Sequence, residues 1–290
     1  MSISRLIQKI DEKNNASVAG LDARIAYVPD HVRARHSCDG DAILEFNKTL
    51  IDALSDIVPA VKPQSAYYEL LGAYGAVVLQ KTIEYAQGKG MYVILDAKRG
   101  DIGATADAYA ESYIAPGSSY NADSMTVNGY LGSDGVLPFV KCCGEKSIFV
   151  LVKTSNKSSG ELQDMKLADG RLVYERMADM VSEWGKDSLS SCGYNNVGAV
   201  VGATYPEELK NLRERMKNTF FLIPGYGAQG GSAEGLKGAF DKNGHGGIVN
   251  SSRAIMCAWK KTDKNGLDYA EAARNEAIRM RDEINSVRGK

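Results

Sequence analysis

MYVILDAKRGDIGATADAY, residues 91–109, is the stretch that decides the fold of this chain. It opens on an apolar run, residues 91–95, whose length and β-branched content are typical of a buried strand. The run leads directly into a cluster of two acids and two bases at 96–101. Because Asp96 and Lys98 are two residues apart, a continuing strand would point both side chains to the same side. Such charges at the carboxyl end of a strand are typical of α/β active sites, although a solvated, salt-bridged strand end is the alternative.

The alternation of strand-like and helix-like segments continues along the chain on both sides of this stretch. Apolar runs predict strands at 17–22, 58–63, 91–95, 121–127, 147–152, 197–201, 220–223 and 247–250. Periodicity and helix-start signals predict helices before the first strand, at 41–55 and 67–87, from 101–105 onward, and at 132–143, 172–189, 206–217 and 270–284. A short helix is predicted after residue 231, and loops are predicted at 23–40 and 157–170.

Eight strands that alternate with helices over 290 residues favour an α/β fold of the (β/α)8 TIM barrel type. We expect a single domain over residues 1–290, with an N-terminal helix before the first strand, because no linker or low-complexity segment interrupts the pattern. An open doubly wound sheet is the alternative, and it is disfavoured because no G-x-G-x-x-G follows the first strand.

Composition narrows the class of protein. The net charge of -1 indicates no broad basic surface, so neither nucleic acid nor an acidic membrane is an expected partner. No apolar run approaches the roughly 18 residues of a membrane span, and the amphipathic N-terminus is not a signal peptide. Five cysteines without a C-x-x-C pair indicate a reducing compartment, and we expect a cytoplasmic protein. His31, His36 and His245 are expected at the surface without acid partners, so no metal site is predicted.

In a barrel, the residues at the strand ends converge on one mouth. In chain order these residues are Asp22, Lys62, Asp96 with Lys98, Asn128, Thr154 with Ser155, Thr204, Gln229 and Arg253. They form an early charged cluster from the first three strands and a late glycine-rich cluster from the last two.

The early cluster, Lys62, Asp96, Lys98 and Asp101, alternates in charge. Its members can hold one another ionised, because a lysine lowers the pKa of a nearby acid and the acid raises the pKa of the lysine. A charged lysine is a poor Schiff-base nucleophile but a good proton donor to a developing carbanion. A carboxylate beside it would repel an anionic substrate group by about 4 kcal/mol at roughly 4 Å and an effective dielectric near 20. This cluster therefore suits loss of CO2 followed by protonation of the carbon left behind.

The late cluster, PGYGAQGG at 224–231 with Arg253, has the features of a phosphate site. Glycines let backbone N–H groups approach an anion, a following helix N-terminus adds partial positive charge, and arginine offers a bidentate fork. Its place after strands seven and eight is the usual phosphate site of a TIM barrel. The alternative is a glycine-rich turn whose arginine pairs with an acid elsewhere.

The sequence D-A-K-R-G-D-I-G at 96–103 closely resembles the D-x-K-x-x-D signature of the orotidine 5'-phosphate decarboxylase superfamily, in its longer class. The resemblance covers most of the chain: G-L-D at 20–22, K-P at 62–63, K-T-S-N at 153–156, P-G-Y-G-A-Q-G at 224–230 and S-R-A-I at 252–255. It implies decarboxylation of orotidine 5'-monophosphate to uridine 5'-monophosphate and CO2, the last step of de novo pyrimidine nucleotide synthesis. It also implies that no metal or organic cofactor takes part.

The resemblance further implies roles for individual residues. Lys98 would protonate C6 of the pyrimidine, Asp96 would face the C6 carboxylate, and Lys62 would contact the ribose and orient Asp96. The other implied substrate contacts are Asp22 with the ribose, Ser155 with the ring amide, Pro224 with the pocket wall, and Gln229, Arg253 and the backbone of Ser252 with the 5'-phosphate. Asp101 and Thr105 would reach across a two-fold interface into the partner's site, so the implied enzyme is an obligate homodimer.

One departure and several alternatives accompany these expectations. Many family members have glycine where this chain has Ser252. Asp22 and Thr105 have an alternative role as helix caps, Lys62 as a solvated strand end, and Ser155 as a loop hydroxyl. Two other functions stay open: a metal-dependent sugar-phosphate lyase or epimerase of the same superfamily, and a catalytically silent nucleotide-binding barrel.

Overall fold

Eight parallel strands close into a barrel in sequence order, with β1 paired to β8. The structure is a computed structural model that describes residues 1–22, 24–227 and 230–289, and every count here refers to those residues. The strands are β1 (Ser17–Leu21), β2 (Ala60–Pro63), β3 (Tyr92–Arg99), β4 (Ser124–Val127), β5 (Ser147–Lys153), β6 (Val197–Val201), β7 (Phe221–Ile223) and β8 (Gly247–Ser251). The predicted TIM barrel is confirmed, and the open sheet is excluded because every strand has two neighbours.

Helices connect the strands and cover the outside of the barrel. They are α1 (Ser2–Glu12), α2 (Asp30–Arg33), α3 (Asp39–Leu54), α4 (Ser65–Glu69), α5 (Ala73–Gly88), α6 (Gly103–Tyr113), α7 (Ser133–Val140), α8 (Gly160–Gln163), α9 (Val173–Gly185), α10 (Pro206–Arg215), α11 (Arg253–Met256) and α12 (Tyr269–Arg288). Short 3-10 helices span Ile25–Tyr27, Lys157–Ser159, Lys186–Ser188, Glu234–Ala239 and Ala258–Lys261.

The barrel is closed at the amino ends of its strands and open at their carboxyl ends. Residues in β1, β2, β4 and β6 are buried throughout, because the strands face a packed interior on one side and helices on the other. The predicted N-terminal helix, α1, buries Ile3, Leu6, Ile7 and Ile10. The N–H of Ile3 donates to Asn196 Oδ1 at 3.1 Å, just before β6, so α1 lies against the amino ends of the strands. The carboxyl ends are left to form a cavity.

The helix predicted at 67–87 is two helices, α4 and α5. Gly72 lies between them with φ of +64°, in the left-handed region that favours glycine. Gly75 then packs so tightly that a β carbon there would lie 1.8 Å from the carbonyl oxygen of Tyr68. The prediction was wrong because the apolar period runs on through a break that two glycines create.

The segments predicted as loops also contain short helices. Residues 23–40 include Ile25–Tyr27 and α2, and residues 157–170 include Lys157–Ser159 and α8. Helices of three or four residues are too short to show a periodic pattern, so composition alone identified these segments as loops.

Two of the three histidines have acid partners, contrary to expectation. His36 Nε2 lies 2.5 Å from Glu45, and His245 Nε2 lies 2.9 Å from Asp11. Within the described ranges, no three histidine, cysteine or acidic residues are grouped so that they could hold a metal ion. In the same ranges, no helix combines the length and apolar character needed to span a bilayer.

Candidate active site

A cavity of about 910 Å³ lies at the carboxyl ends of the strands. Side chains from β2 through β8, and from the segments that follow the strands, line it. Its charged lining residues are Asp22, Arg24, Lys62, Asp96, Lys98 and Arg253. The early and late clusters of the sequence therefore contribute to one cavity.

Asp96 is the centre of the charged part of this cavity. Its Oδ2 accepts hydrogen bonds from Lys62 Nζ at 2.7 Å and Gln64 Nε2 at 3.0 Å. Its Oδ1 accepts from Lys98 Nζ at 2.5 Å and Thr126 Oγ1 at 2.8 Å. Because two ammonium groups and two neutral donors hold both oxygens, the carboxylate cannot rotate without losing several bonds.

Charge coupling keeps the buried groups of this cluster ionised. Burial raises the pKa of Asp96, but the charges and hydrogen bonds of Lys62 and Lys98 outweigh it and hold the pKa far below its usual range. Burial lowers the pKa of Lys62, but the charges of Asp96 and Asp22 outweigh it and raise the pKa. Asp96 and Lys62 are therefore both charged at neutral pH.

The end of β3 reaches this geometry through a distorted backbone. Lys98 has φ of +49°, which is uncommon for a residue with a β carbon. Its N–H donates to Thr126 Oγ1 at 2.9 Å, and the pairing of β3 with β4 shifts register between Leu95 and Arg99. Asp96 and Lys98 do face each other, as the spacing predicts, but a bulge and not a regular strand brings them together. The Lys98 side chain is 45% exposed, so a ligand in the cavity can reach its ammonium group.

A cation–aromatic stack forms the wall of the cavity beside Asp22. The guanidinium of Arg24 lies 5.7 Å from the ring centre of Tyr27 and 5.8 Å from that of Tyr67. Asp22 and these three residues all line the cavity. Asp22 is close enough to Lys62 for its charge to raise the pKa of that lysine.

The segments after β7 and β8 supply the anion-binding candidates. Pro224 and Gly225 follow β7, and Ser252 and Arg253 follow β8; all four line the cavity. Gly225 has φ of +96°, so the turn after β7 depends on a glycine there. Gln229, the other predicted phosphate contact, lies outside the described residues.

Gly20 on β1 leaves space for Ser252, which stands where many family members have glycine. A β carbon at Gly20 would lie 1.9 Å from Ser252 Oγ. The same hydroxyl accepts a hydrogen bond from Asn250 Nδ2 at 3.4 Å. Ser252 therefore occupies space that an alanine on the neighbouring strand would remove.

Ser155 lies in the cavity lining with Thr154 and Asn156. Thr204, predicted as a strand-end residue, donates its hydroxyl to the carbonyl of Ser155 at 3.3 Å. A β carbon at Gly202 would lie 2.9 Å from the α carbon of Ser155, so this loop sits directly on the end of β6.

Asp101, Thr105 and Asn128 are not among the residues that line the cavity within this chain. Asp101 Oδ1 accepts the N–H of Ile102 at 2.8 Å, and Thr105 is exposed on α6. Asn128 is also exposed, and its Oδ1 accepts the N–H of Tyr130 at 3.0 Å. The structure thus brings together three of the four early charges, and Thr126 contributes the polar side chain from β4.

The polar lining residues that were not identified from the sequence include Gln64, Thr126, Gln163 and Asn250, in addition to Arg24 in the cavity wall. Gln64, Thr126 and Asn250 each lie two positions from a residue that was considered. Those residues are Lys62, Asn128 and Ser252, in the same order. The period of two along a strand could have found them. Gln163 offers no such signal, because α8 returns it to the cavity through a loop.

Comparison with known proteins identifies the family. The model described as "Orotidine 5'-phosphate decarboxylase / HUMPS family" matches residues 39–264. The chain belongs to this family. The orotidine 5'-phosphate decarboxylase of Clostridium botulinum (strain Loch Maree / Type A3) is 42% identical to it over 283 residues, covering 97% of this chain and 98% of the relative. The resemblance stated from the sequence is confirmed.

Solved structures agree with the family assignment. The structure of Leishmania donovani OMP decarboxylase is 33% identical with a TM-score of 0.80, and the match covers 100% of this chain and 99% of that one. A putative orotidine 5'-phosphate decarboxylase from Streptomyces avermitilis is 32% identical with a TM-score of 0.82, with 99% and 95% covered. The structure of Leishmania donovani UMP synthase is also similar, with 34% identity and a TM-score of 0.80. The match covers 99% of the present chain and 56% of that longer protein.

Proposed function

We propose that this protein is a carboxy-lyase that converts orotidine 5'-monophosphate to uridine 5'-monophosphate and CO2 in pyrimidine nucleotide synthesis. The observation that carries the proposal is the ionised carboxylate of Asp96, held between two ammonium groups in the cavity. The 42% identity to a curated enzyme of that name, over 97% of the chain, supports it. That relative's name gives no support to the alternative of a metal-dependent sugar-phosphate lyase.

The reaction needs an ammonium group and a carboxylate held side by side next to one carbon atom of the substrate. In the proposed step, the bond from C6 to its carboxylate breaks, CO2 leaves, and the electron pair stays on C6. The Lys98 ammonium stabilises that pair and transfers one proton to C6. The resulting neutral amine of Lys98 then recovers a proton from solvent, which its 45% exposure allows.

Asp96 contributes by repelling the carboxylate that leaves. It is held ionised and fixed by four donors, so it cannot relieve the repulsion by taking a proton or by rotating. At roughly 4 Å and an effective dielectric near 20, two such charges repel by about 4 kcal/mol. This is about three decades of rate, and the rest of the acceleration must come from stabilisation of the carbanion and from binding energy at remote groups.

The remaining substrate contacts follow the same assignment. Asp22 and Lys62 bind the ribose hydroxyls, and Ser155 binds the ring amide of the pyrimidine. Pro224 lines the pocket, while Arg253, the backbone of Ser252 and Gln229 bind the 5'-phosphate. The exposed guanidinium of Arg253 in the cavity supports this assignment, since a planar fork suits a phosphate.

The protein acts as a homodimer in which Asp101 and Thr105 enter the partner's site. An apolar surface next to Asp101 supports this: Ile102 is 56% exposed and Leu131 is 48% exposed. The two helices beside them, α6 and α7, pack together, and a β carbon at Gly135 would lie near both Leu131 and the Asp101 carbonyl. Exposed apolar residues beside a catalytic motif are typical of a protein interface.

A subunit-mixing experiment tests the shared site. Asp96→Asn and Asp101→Asn chains are each expected to be inactive alone. When they are mixed, a dimer with one chain of each kind has one site with both aspartates intact, so activity should return. Mixed subunits that stay inactive, although exchange is shown by a size tag, would remove Asp101 from the partner's site.

The decisive test of the reaction is a spectroscopic assay of orotidine 5'-monophosphate turnover by protein treated with a chelator. Turnover unaffected by the chelator is expected, because no residue role proposed here requires a metal. No turnover would refute the proposed function, and turnover lost with the metal would favour the sugar-phosphate lyase chemistry. We further propose one domain over residues 1–290 and a cytoplasmic location, with no nucleic acid or membrane partner.

A further inference from the structure

The loop after β5, residues 154–164, is closed by a two-point bond between its ends. Gln163 Oε1 accepts the backbone N–H of Thr154 at 2.9 Å, and Gln163 Nε2 donates to Thr154 Oγ1 at 2.8 Å. The Thr154 hydroxyl in turn donates to Asn156 Oδ1 at 2.6 Å. This directed chain of bonds fixes the orientation of three consecutive cavity residues, with Ser155 in the middle.

A buried ammonium group holds the same loop from outside the barrel. The side chain of Lys153 is fully buried, and its Nζ forms an ion pair with Asp164, directly after Gln163. The ring centres of Tyr174 and Tyr205 lie 5.2 Å and 4.7 Å from this nitrogen. Because a buried ammonium group is costly unless it is paired, the position of Asp164 is strongly constrained.

The proposed mechanism gives neither attachment a role. Lys153 makes its bonds away from the Asp96 cluster, and Gln163 bonds to the loop itself and not to the strands of the barrel. Between the two attachments lies Ser155, whose carbonyl is held by Thr204 and whose backbone rests on Gly202. The attachments therefore act on the one part of the cavity that the proposed function assigns to the pyrimidine ring.

We propose that Gln163 and Lys153 are positioning residues that hold Ser155 against the pyrimidine and so determine the affinity for the base of the nucleotide. This inference rests on the proposed function, in which Ser155 binds the ring amide. The expected effect is selective. Loosening the loop lowers the affinity for ligands that carry the base and leaves the affinity for ligands that carry only ribose and phosphate unchanged.

The test is a double-mutant cycle between Gln163→Leu and Ser155→Ala in the full-length protein. Gln163→Leu should lower kcat/KM for orotidine 5'-monophosphate about tenfold, the effect of losing one or two ordinary hydrogen bonds. In the Ser155→Ala background the same change should cost less than about twofold, because its effect passes through Ser155. Inhibition by uridine 5'-monophosphate should weaken about tenfold, whereas inhibition by ribose 5-phosphate should not change.

Matched controls separate positioning from general damage. Gln80→Leu removes a glutamine that bonds Glu84 on the outer helix α5 and should leave all these constants unchanged. Asp164→Asn, at a side chain 44% exposed, should reproduce the base-selective loss by weakening the hold of Lys153. If Gln163→Leu fails to fold, Gln163→Glu replaces it, since a carboxylate oxygen can still accept the Thr154 N–H.

Either of two results would overturn the inference while wild-type turnover is normal. One is additive losses of Gln163→Leu and Ser155→Ala, and the other is equal weakening of the nucleotide and of ribose 5-phosphate. Absence of turnover in the wild-type protein would instead overturn the proposed function, so the two failures are distinguishable.

Discussion

Replacing Asp96 with asparagine tests the electrostatic core of the proposed mechanism. The change keeps the shape of the side chain but removes its charge and turns one accepting oxygen into an NH2 group. Both oxygens of Asp96 accept from donors, namely Lys62 and Gln64 on Oδ2 and Lys98 and Thr126 on Oδ1. Either orientation of the amide therefore places two donors against an NH2 group.

The magnitude follows from the charge that is lost. A repulsion of about 4 kcal/mol between Asp96 and the substrate carboxylate would disappear, which lowers kcat by about a thousandfold. Substrate binding should not weaken from this cause, since the repulsion opposes binding in the ground state. Lys98 also loses its partner, so a thousandfold is the smaller end of the expected loss in kcat.

Stability changes in the same variant and must be measured beside activity. Lys62 has a side chain only 5% exposed and loses its directly bonded carboxylate. Removing one partner of a buried pair costs about 3–5 kcal/mol, so a lower melting temperature is expected. Asp56→Asn, which removes an exposed partner of Arg274, is the matched control and should leave both activity and folding nearly unchanged.

The assay is steady-state turnover of orotidine 5'-monophosphate together with the inhibition constant of uridine 5'-monophosphate, at a temperature where the variant is folded. The expected result is a large fall in kcat with KM unchanged or lower. If kcat stays within about threefold of wild type while KM rises by orders of magnitude, Asp96 is a binding residue and the repulsion argument is wrong.

Other changes test separate parts of the structure. Lys98→Ala should abolish CO2 release while uridine 5'-monophosphate still binds; retained turnover would remove Lys98 from the proton transfer. Gly20→Ala should raise KM and cost about 1–3 kcal/mol of stability, because its β carbon would lie 1.9 Å from Ser252 Oγ, and Ser252→Gly in the same chain should restore both. Because the pKa of Asp96 is lower in the folded than in the unfolded protein, its stabilisation is present above about pH 4 and is lost as the pH falls further. Wild-type protein should therefore lose more stability than Asp96→Asn between pH 7 and pH 3 in thermal denaturation, and equal losses would contradict the coupling.

Local patterns in the sequence were sufficient to predict much of the fold. Six of the eight strands were predicted with both ends within two residues of those observed, because buried parallel strands are short continuous apolar runs. The fourth strand begins at Ser124, three residues later than predicted. The third strand continues four residues further than predicted, through its charged residues to Arg99. The prediction of one helix at 67–87 was wrong at Gly72. A left-handed backbone conformation there ends the helix although the apolar pattern of the sequence continues.

What the sequence alone determined is the order of the strands, the barrel, the family, and the identity of the charged residues at the strand ends. All of these follow from the types of residues and from their spacing within short stretches of the sequence. Only the tertiary structure decided that β3 bulges at Lys98, that Gln64 and Thr126 complete the bonds to Asp96, and that Gln163 closes the loop beside Ser155. These contacts join residues 9 to 32 positions apart in the chain, or depend on one backbone angle, and no local period in a sequence records either.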